Sequence, residues 1–170
     1  MDLDEAARAL APRLIAYALA RTGCLKTAED VAQDALVALV RRWRQAGPPE
    51  SADAFVFAIA RRRAGRAVAR RALTAPFDAL RNAASNGPSA DEAYAHRVEL
   101  AIVRSALRTL SRADREALLL RTVAELSFEE IAGVVGASPA AVKMRVSRAR
   151  RRLAALIEER SHGGRRTQTV

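Results

Sequence analysis

The stretch Ser127 to Leu153, SFEEIAGVVGASPAAVKMRVSRARRRL, decides how this chain folds. It reads as two helices separated by a tight turn. Ser127 is a good N-cap and Glu130 follows three positions later, the spacing of a capping box. Leu126 and Ile131 stand where a hydrophobic staple closes a helix start. Gly136, after Val134 and Val135, can end the first helix. Ser138 then caps a second helix with Pro139 at its first position. Val142, Val146, Ala149, Leu153 and Leu156 recur at helical spacing and make one apolar stripe. The opposite face carries Ala140, Met144, Ser147, Arg148 and Arg151, flanked by Lys143, Arg145, Arg150 and Arg152. No acidic residue occurs between Ile131 and Ile157. This is the pattern of a helix-turn-helix whose second helix lies in a DNA major groove. A basic helix alone would favour a solvated face of an ordinary bundle. The capped helix, glycine turn, Ser-Pro restart and one-sided charge together favour DNA.

Outward from this block, Ser111 can cap a preceding helix, with Asp114 as a weaker box partner. Leu118, Leu119 and Val123 on that helix can pack on the helix-turn-helix. A further helix is expected from about Asp91 to Leu110. Residues 74–90, with Pro76, Asn86, Gly87 and Pro88 and little periodicity, read as a flexible linker. Residues 161–170, SHGGRRTQTV, read as a disordered basic tail.

The N-terminal part, residues 1–73, has three helical segments. The first runs from near Asp4 to Thr22-Gly23. A second is expected to start at Thr27, with Asp30 as its capping-box partner. Val31, Ala32, Ala35, Leu36, Leu39 and Trp43 form its core face. Its other face shows Glu29, Asp30, Gln33, Asp34, Arg41 and Arg44, with Val37 and Val40 among them. Apolar residues on a polar face suggest a protein partner, although chance exposure explains two valines about as well. Gly47-Pro48-Pro49 breaks the chain. Ser51 can cap a third helix to about Leu73. That helix opens with Phe55, Phe57 and Ile59, then turns basic with Arg61, Arg62, Arg63, Arg66, Arg70 and Arg71. Rings beside arginines can stack bases and hold backbone phosphates, though at least one phenylalanine is expected in the core. The expectation is an all-α chain with two small helical domains, 1–73 and 91–160, joined by a flexible linker.

Composition agrees. The 170 residues carry a net charge of +10, so a polyanion is the natural partner. Half the residues are hydrophobic but only 4% are aromatic, which suits helices packed through small side chains. One cysteine, Cys24, cannot form an internal disulfide and fits a reducing, cytoplasmic setting. The start, MDLDEAA, lacks the basic region of a signal peptide, and no apolar run approaches the roughly 20 residues that span a bilayer. His96, His162 and Cys24 have no metal-ligand spacing, and there is no Gly-rich phosphate loop or activated nucleophile. No cofactor, no metal, no membrane insertion and no enzyme activity are expected.

In order, YALARTG, TAEDVAQDAL, Trp43, FVFAIARRRAGRAVARR and LRTLSRADREALLLRTVAELSFEEIAGVVGASPAAVKMRVSRARRRL resemble the extracytoplasmic-function (ECF) class of bacterial RNA polymerase sigma factors. The match covers nearly the whole chain from Ala11 to Leu156. It implies a promoter-specificity subunit that binds core RNA polymerase and promoter DNA. By this resemblance Glu29, Asp30, Gln33, Asp34, Val37 and Val40 dock on the polymerase clamp helices. Phe55, Phe57, Arg61, Arg62 and Arg66 would open and read the −10 element. Ser138, Ala140, Ala141, Lys143, Met144, Arg145, Ser147, Arg148 and Arg151 would read the −35 element. Many members are held inactive by an anti-sigma factor, which the resemblance adds as a candidate partner. Phe55 stands where the class usually has tryptophan, and Arg62 and Arg66 stand where it has asparagine and aspartate. The competing reading is a stand-alone helix-turn-helix transcription regulator. It would not need the acidic-Gln helix followed by an aromatic-arginine helix.

Overall fold

The structure, a computed structural model, describes residues 2–78 and 105–163, with side chains over 2–72 and 105–156. The described residues include α1 (Leu3–Thr22), α2 (Leu25–Ala46), α3 (Ala52–Asp78), α4 (Arg112–Thr122), α5 (Phe128–Val135) and α6 (Pro139–Gly163). No strand occurs among the described residues. Residues 105–108 are also helical, and the rest of the helix expected from Asp91 lies outside the described residues, as does most of the expected linker.

Local chemistry sets most boundaries. Asp2 accepts the Glu5 N–H at 2.8 Å to start α1, and Gly23 ends it in the left-handed conformation at φ 72°. Ser51 Oγ accepts the Ala54 N–H at 3.1 Å at the start of α3. Ser111 Oγ does the same for Asp114 at 3.1 Å. Ser127 and Glu130 form the full reciprocal box, at 3.1 and 2.8 Å. Each such cap contributes about 1 kcal/mol.

Three boundaries differ from the sequence reading. α2 begins at Leu25 after Cys24, which makes no side-chain cap, so Thr27 lies inside the helix. The left-handed Gly23 turns the chain so sharply that α2 starts at once. α3 continues to Asp78, past Leu73 and into the stretch expected as linker. α6 runs to Gly163, so residues 161–163 of the expected tail are helical.

The first lobe is α1, α2 and α3 around Leu10, Leu14, Tyr17, Ala18, Val31, Ala35, Leu39, Val56, Phe57 and Ala60, all buried. Six alanines of this lobe (Ala6, Ala18, Ala28, Ala35, Ala60 and Ala64) are completely buried, and their small side chains let the helix axes approach closely. The second lobe packs α4, α5 and α6 around Leu120, Leu126, Ile131, Val142, Val146 and Ala149. The lobes touch each other: α3 lies against α5, and α1 against α4.

Polar side chains fasten that seam. Tyr17 donates to Glu116, whose other carboxylate oxygen pairs with Arg21. Arg13 donates to the Ala124 carbonyl and pairs with Asp53 at 2.6 Å. Ser51 donates to Glu130 at 2.6 Å, so one serine both caps α3 and ties it to α5.

Candidate nucleic-acid interface

The second lobe carries α6 as the candidate recognition helix. Gly136 closes α5 at φ 70°, and Ser138 Oγ accepts the Ala141 N–H at 3.2 Å to restart the chain. Val142, Val146 and Ala149 are buried, with α6 packed on α4 and α5. That burial fixes the helix's rotation. It leaves Ala140, Lys143, Met144, Ser147, Arg148 and Arg151 exposed, along with the cap Ser138. Met144 is 59% exposed, an apolar side chain in the middle of a basic face. Ala141 is half-buried.

Two arginines of this helix are more constrained than the sequence implies. Arg148 donates from Nε and Nη2 to both oxygens of Asp114 in α4, at 3.1, 3.3 and 2.8 Å. The hydrogen bonds from Arg148 hold the Asp114 carboxyl below the usual carboxylate range and raise the Arg148 guanidinium. Arg145 is half-buried and lines the seam with Arg61 and Arg112.

The first lobe's basic helix divides by face. Arg62, Arg63 and Arg66 are exposed, and Arg63 pairs with Asp34 at 3.3 Å. Phe55 is half-buried at the start of α3. Phe57 is completely buried, packed edge-on to Tyr17 at 5.5 Å and 84° with Arg13 5.7 Å from its centroid. It is a core ring, which removes it from the expected base-stacking set. Helical geometry turns residues 55 and 57 about 200° apart, so one helix face cannot present both. Arg61 is also redirected: it donates to the Val134 carbonyl of α5 at 3.4 Å and faces the second lobe.

The expected polymerase-docking residues split into two groups. Glu29, Gln33, Val37 and Val40 line a groove of about 530 Å³ between α1 and α2, completed by Ile15 and Ala11. Arg41 and Arg44 flank it. Asp30 and Asp34 face the other way, into a cleft shared with Arg63 and Arg66 of α3. The helical spacing places residues 29, 33, 37 and 40 on one stripe and 30 and 34 on the next.

Several residues escaped the sequence reading. Ile15 belongs to a different helix from the valines it joins. Asp114 reads as a capping partner until α6 brings Arg148 to it. Tyr17, Arg21 and Glu116 carry no local signal of their pairing.

These two lobes define a class. The Sigma-70 region 2 family model matches residues 6–74, and the Sigma-70, region 4 model matches residues 100–153. The ECF RNA polymerase sigma factor EcfG of Rhodopseudomonas palustris is 31% identical over 149 residues, 88% of this chain and 81% of that protein. CnrH, solved in complex with the cytosolic domain of CnrY, superposes with a TM-score of 0.69 at 25% identity, covering 92% of this chain and 88% of that one. The sigma factor RpoE of Bartonella quintana, solved with the anti-sigma factor NepR, gives a TM-score of 0.62 at 25% identity, covering 88% and 92%.

The chain belongs to the ECF RNA polymerase sigma factors. It is a sigma subunit that acts in transcription initiation, with core RNA polymerase and promoter DNA as partners. The match to region 2 over residues 6–74 sets aside the stand-alone regulator. Among the described residues, no helix is long and apolar enough to cross a membrane.

Proposed function

We propose that the lobes divide the work of initiation, the lobe that ends with α3 binding core enzyme and the −10 element and residues 91–160 reading the −35 element. The observation that carries this reading is the rotation of α6, whose buried stripe turns Lys143, Met144, Ser147 and Arg148 outward together. Residues early in a recognition helix enter the groove, and later ones leave beside the phosphates. Lys143 and Arg148 therefore meet base edges or nearby phosphates, Met144 offers an apolar contact, and Arg151 grips backbone. The Glu29, Gln33, Val37 and Val40 groove accepts a helix of the polymerase. Phe55, Arg62 and Arg66 act on the −10 strand by stacking and charge. The protein supplies no catalysis of its own and works in the cytoplasm.

An anti-sigma factor fits as a regulator, since both solved relatives carry a bound protein partner. Reconstitution tests the whole reading. The purified chain should convert core polymerase from promoter-blind to promoter-specific transcription of a genomic library. Transcripts that start at the same sites with and without the chain would overturn it.

A further inference from the structure

Among the described residues that line the seam between the lobes, positive charge outnumbers negative. A cavity of about 220 Å³ there is lined by Arg61, Arg112, Ala113, Glu116, Val135 and Arg145. A second, of about 270 Å³, shares Arg112 and adds Arg21 and Arg115. Among the lining residues, five arginines face one carboxylate, Glu116, which Tyr17 and Arg21 already occupy. Two donors are stranded: Arg61 Nε and Arg115 Nε are buried without a partner among the described residues. A buried donor left unpaired is costly, and a charged one more so. Arg21 reports the same imbalance. Burial, with repulsion from Arg112, Arg61 and Arg115, holds its guanidinium below the usual value.

The geometry points to a binding site for a small phosphate-class anion, of diphosphate size, that bridges Arg61 of α3 to Arg112 and Arg145 of the second lobe. The smaller cavity has room for about seven waters, enough for such an ion and too little for a peptide helix. Guanidinium forks match phosphate oxygens two at a time. Arg112 and Ala113 open α4, so their N–H groups have no partner within the helix and add its positive end. The bound ion neutralises the seam and holds the lobes together. Arg145 also belongs to α6. On the promoter-reading assignment above, the ion therefore competes with −35 DNA for this arginine.

The test uses the full chain without DNA or polymerase, so its outcome is independent of that assignment. Calorimetric titration with pyrophosphate, at constant ionic strength, should show saturable binding at one site. Arg61→Gln, and separately Arg145→Gln, should weaken it about tenfold or more, as expected for one charge-assisted hydrogen bond. Arg8→Gln, an exposed change on α1 away from the seam, should bind like the parent. Guanosine diphosphate is run alongside. Tighter binding than pyrophosphate identifies a nucleotide as the source, and equal or weaker binding the inorganic ion. Binding no stronger than that of sulfate, or equal affinity in both seam variants, overturns the site.

Discussion

The phenolic hydroxyl of Tyr17 in the first lobe donates to the carboxylate of Glu116, 99 residues further along the chain. Both residues are buried, and Arg21 takes the other carboxylate oxygen. Burial pushes the Tyr17 hydroxyl up to about 12, so it stays a donor at any physiological pH. A buried network of this kind is stable only while every member is satisfied.

Glu116→Ala should therefore separate the lobes. It leaves the Arg21 charge buried and unpaired, a loss of about 3–5 kcal/mol for a broken buried pair. Each lobe keeps its own core, so far-ultraviolet circular dichroism should change little. The radius of gyration from small-angle scattering should rise. An unchanged radius would show that apolar contacts between α3 and α5 hold the seam without this network.

Arg148 and Asp114 make the second testable pair. The bidentate contact from α4 fixes one guanidinium orientation on the exposed face of α6. Arg148→Ala should cost about 1–3 kcal/mol of promoter affinity and relax preference at one −35 position. Arg151→Ala should weaken all sequences alike and lower the salt slope by about one. Uniform losses across a promoter library in both variants would remove Arg148 from the base-reading role.

Acid should weaken the second lobe and the seam together. The hydrogen bonds from Arg148 lower the Asp114 pKa, and that from Ser51 lowers the Glu130 pKa, relative to ordinary values of 3.8 and 4.5. A carboxylate whose folded pKa is depressed adds stability that is fully present above its unfolded pKa. That stability is lost as pH falls through the folded value. The melting temperature should thus hold down to about pH 5 and decline below it, more steeply than in Asp114→Asn. Parallel pH profiles for parent and variant would show that Asp114 adds nothing to stability.

How much of this was legible from sequence follows from where each signal is written. The helix-turn-helix is written locally. Ser127, Glu130, Gly136, Ser138 and Pro139 act within a few residues of themselves, and each stands in the predicted role. The site is legible only as far as one helix can be read alone. Met144 and Arg151 follow from the periodicity of α6. Phe57 and Arg61 do not, because their surroundings come from α1 and α5. Composition marks an aromatic-arginine helix but not which of its faces a second lobe covers. Thr27 fails for another reason: a left-handed glycine starts α2 earlier than its best capping residue.

The groove between α1 and α2 predicts how core polymerase is held. Val37 is 40% exposed beside Gln33, with Ile15 on the facing helix. Gln33→Arg and Val37→Arg add charge next to Arg41 and Arg44 without touching the buried core. Core affinity should fall while helicity and thermal unfolding stay nearly constant. Asp30→Ala and Asp34→Ala, on the opposite side, should weaken core binding less. If the aspartate variants lose more affinity than the groove variants, the docking face is the α2–α3 side.

Arg62 and Arg66 lie a turn apart on the exposed side of α3, beyond the seam that holds Arg61. Arginine suits guanine or phosphate, whereas asparagine can read an adenine edge with paired hydrogen bonds. With Phe57 in the core, Phe55 is the one ring at the start of α3 with exposed surface. On the proposed −10 role, stacking would therefore be limited and charge would carry more of the grip on the single strand. Arg62→Asn should reduce open-complex formation more at low salt than at high salt, because the attraction it removes is one that salt already screens in the parent. It should also change which −10 sequences are opened. Permanganate footprinting of melted promoters over a salt series measures both effects. Phe55→Ala should lower opening by a similar factor at every salt concentration, since stacking is not screened. Unchanged opening and unchanged −10 preference in Arg62→Asn and Arg66→Asp would leave these arginines as a solvated face.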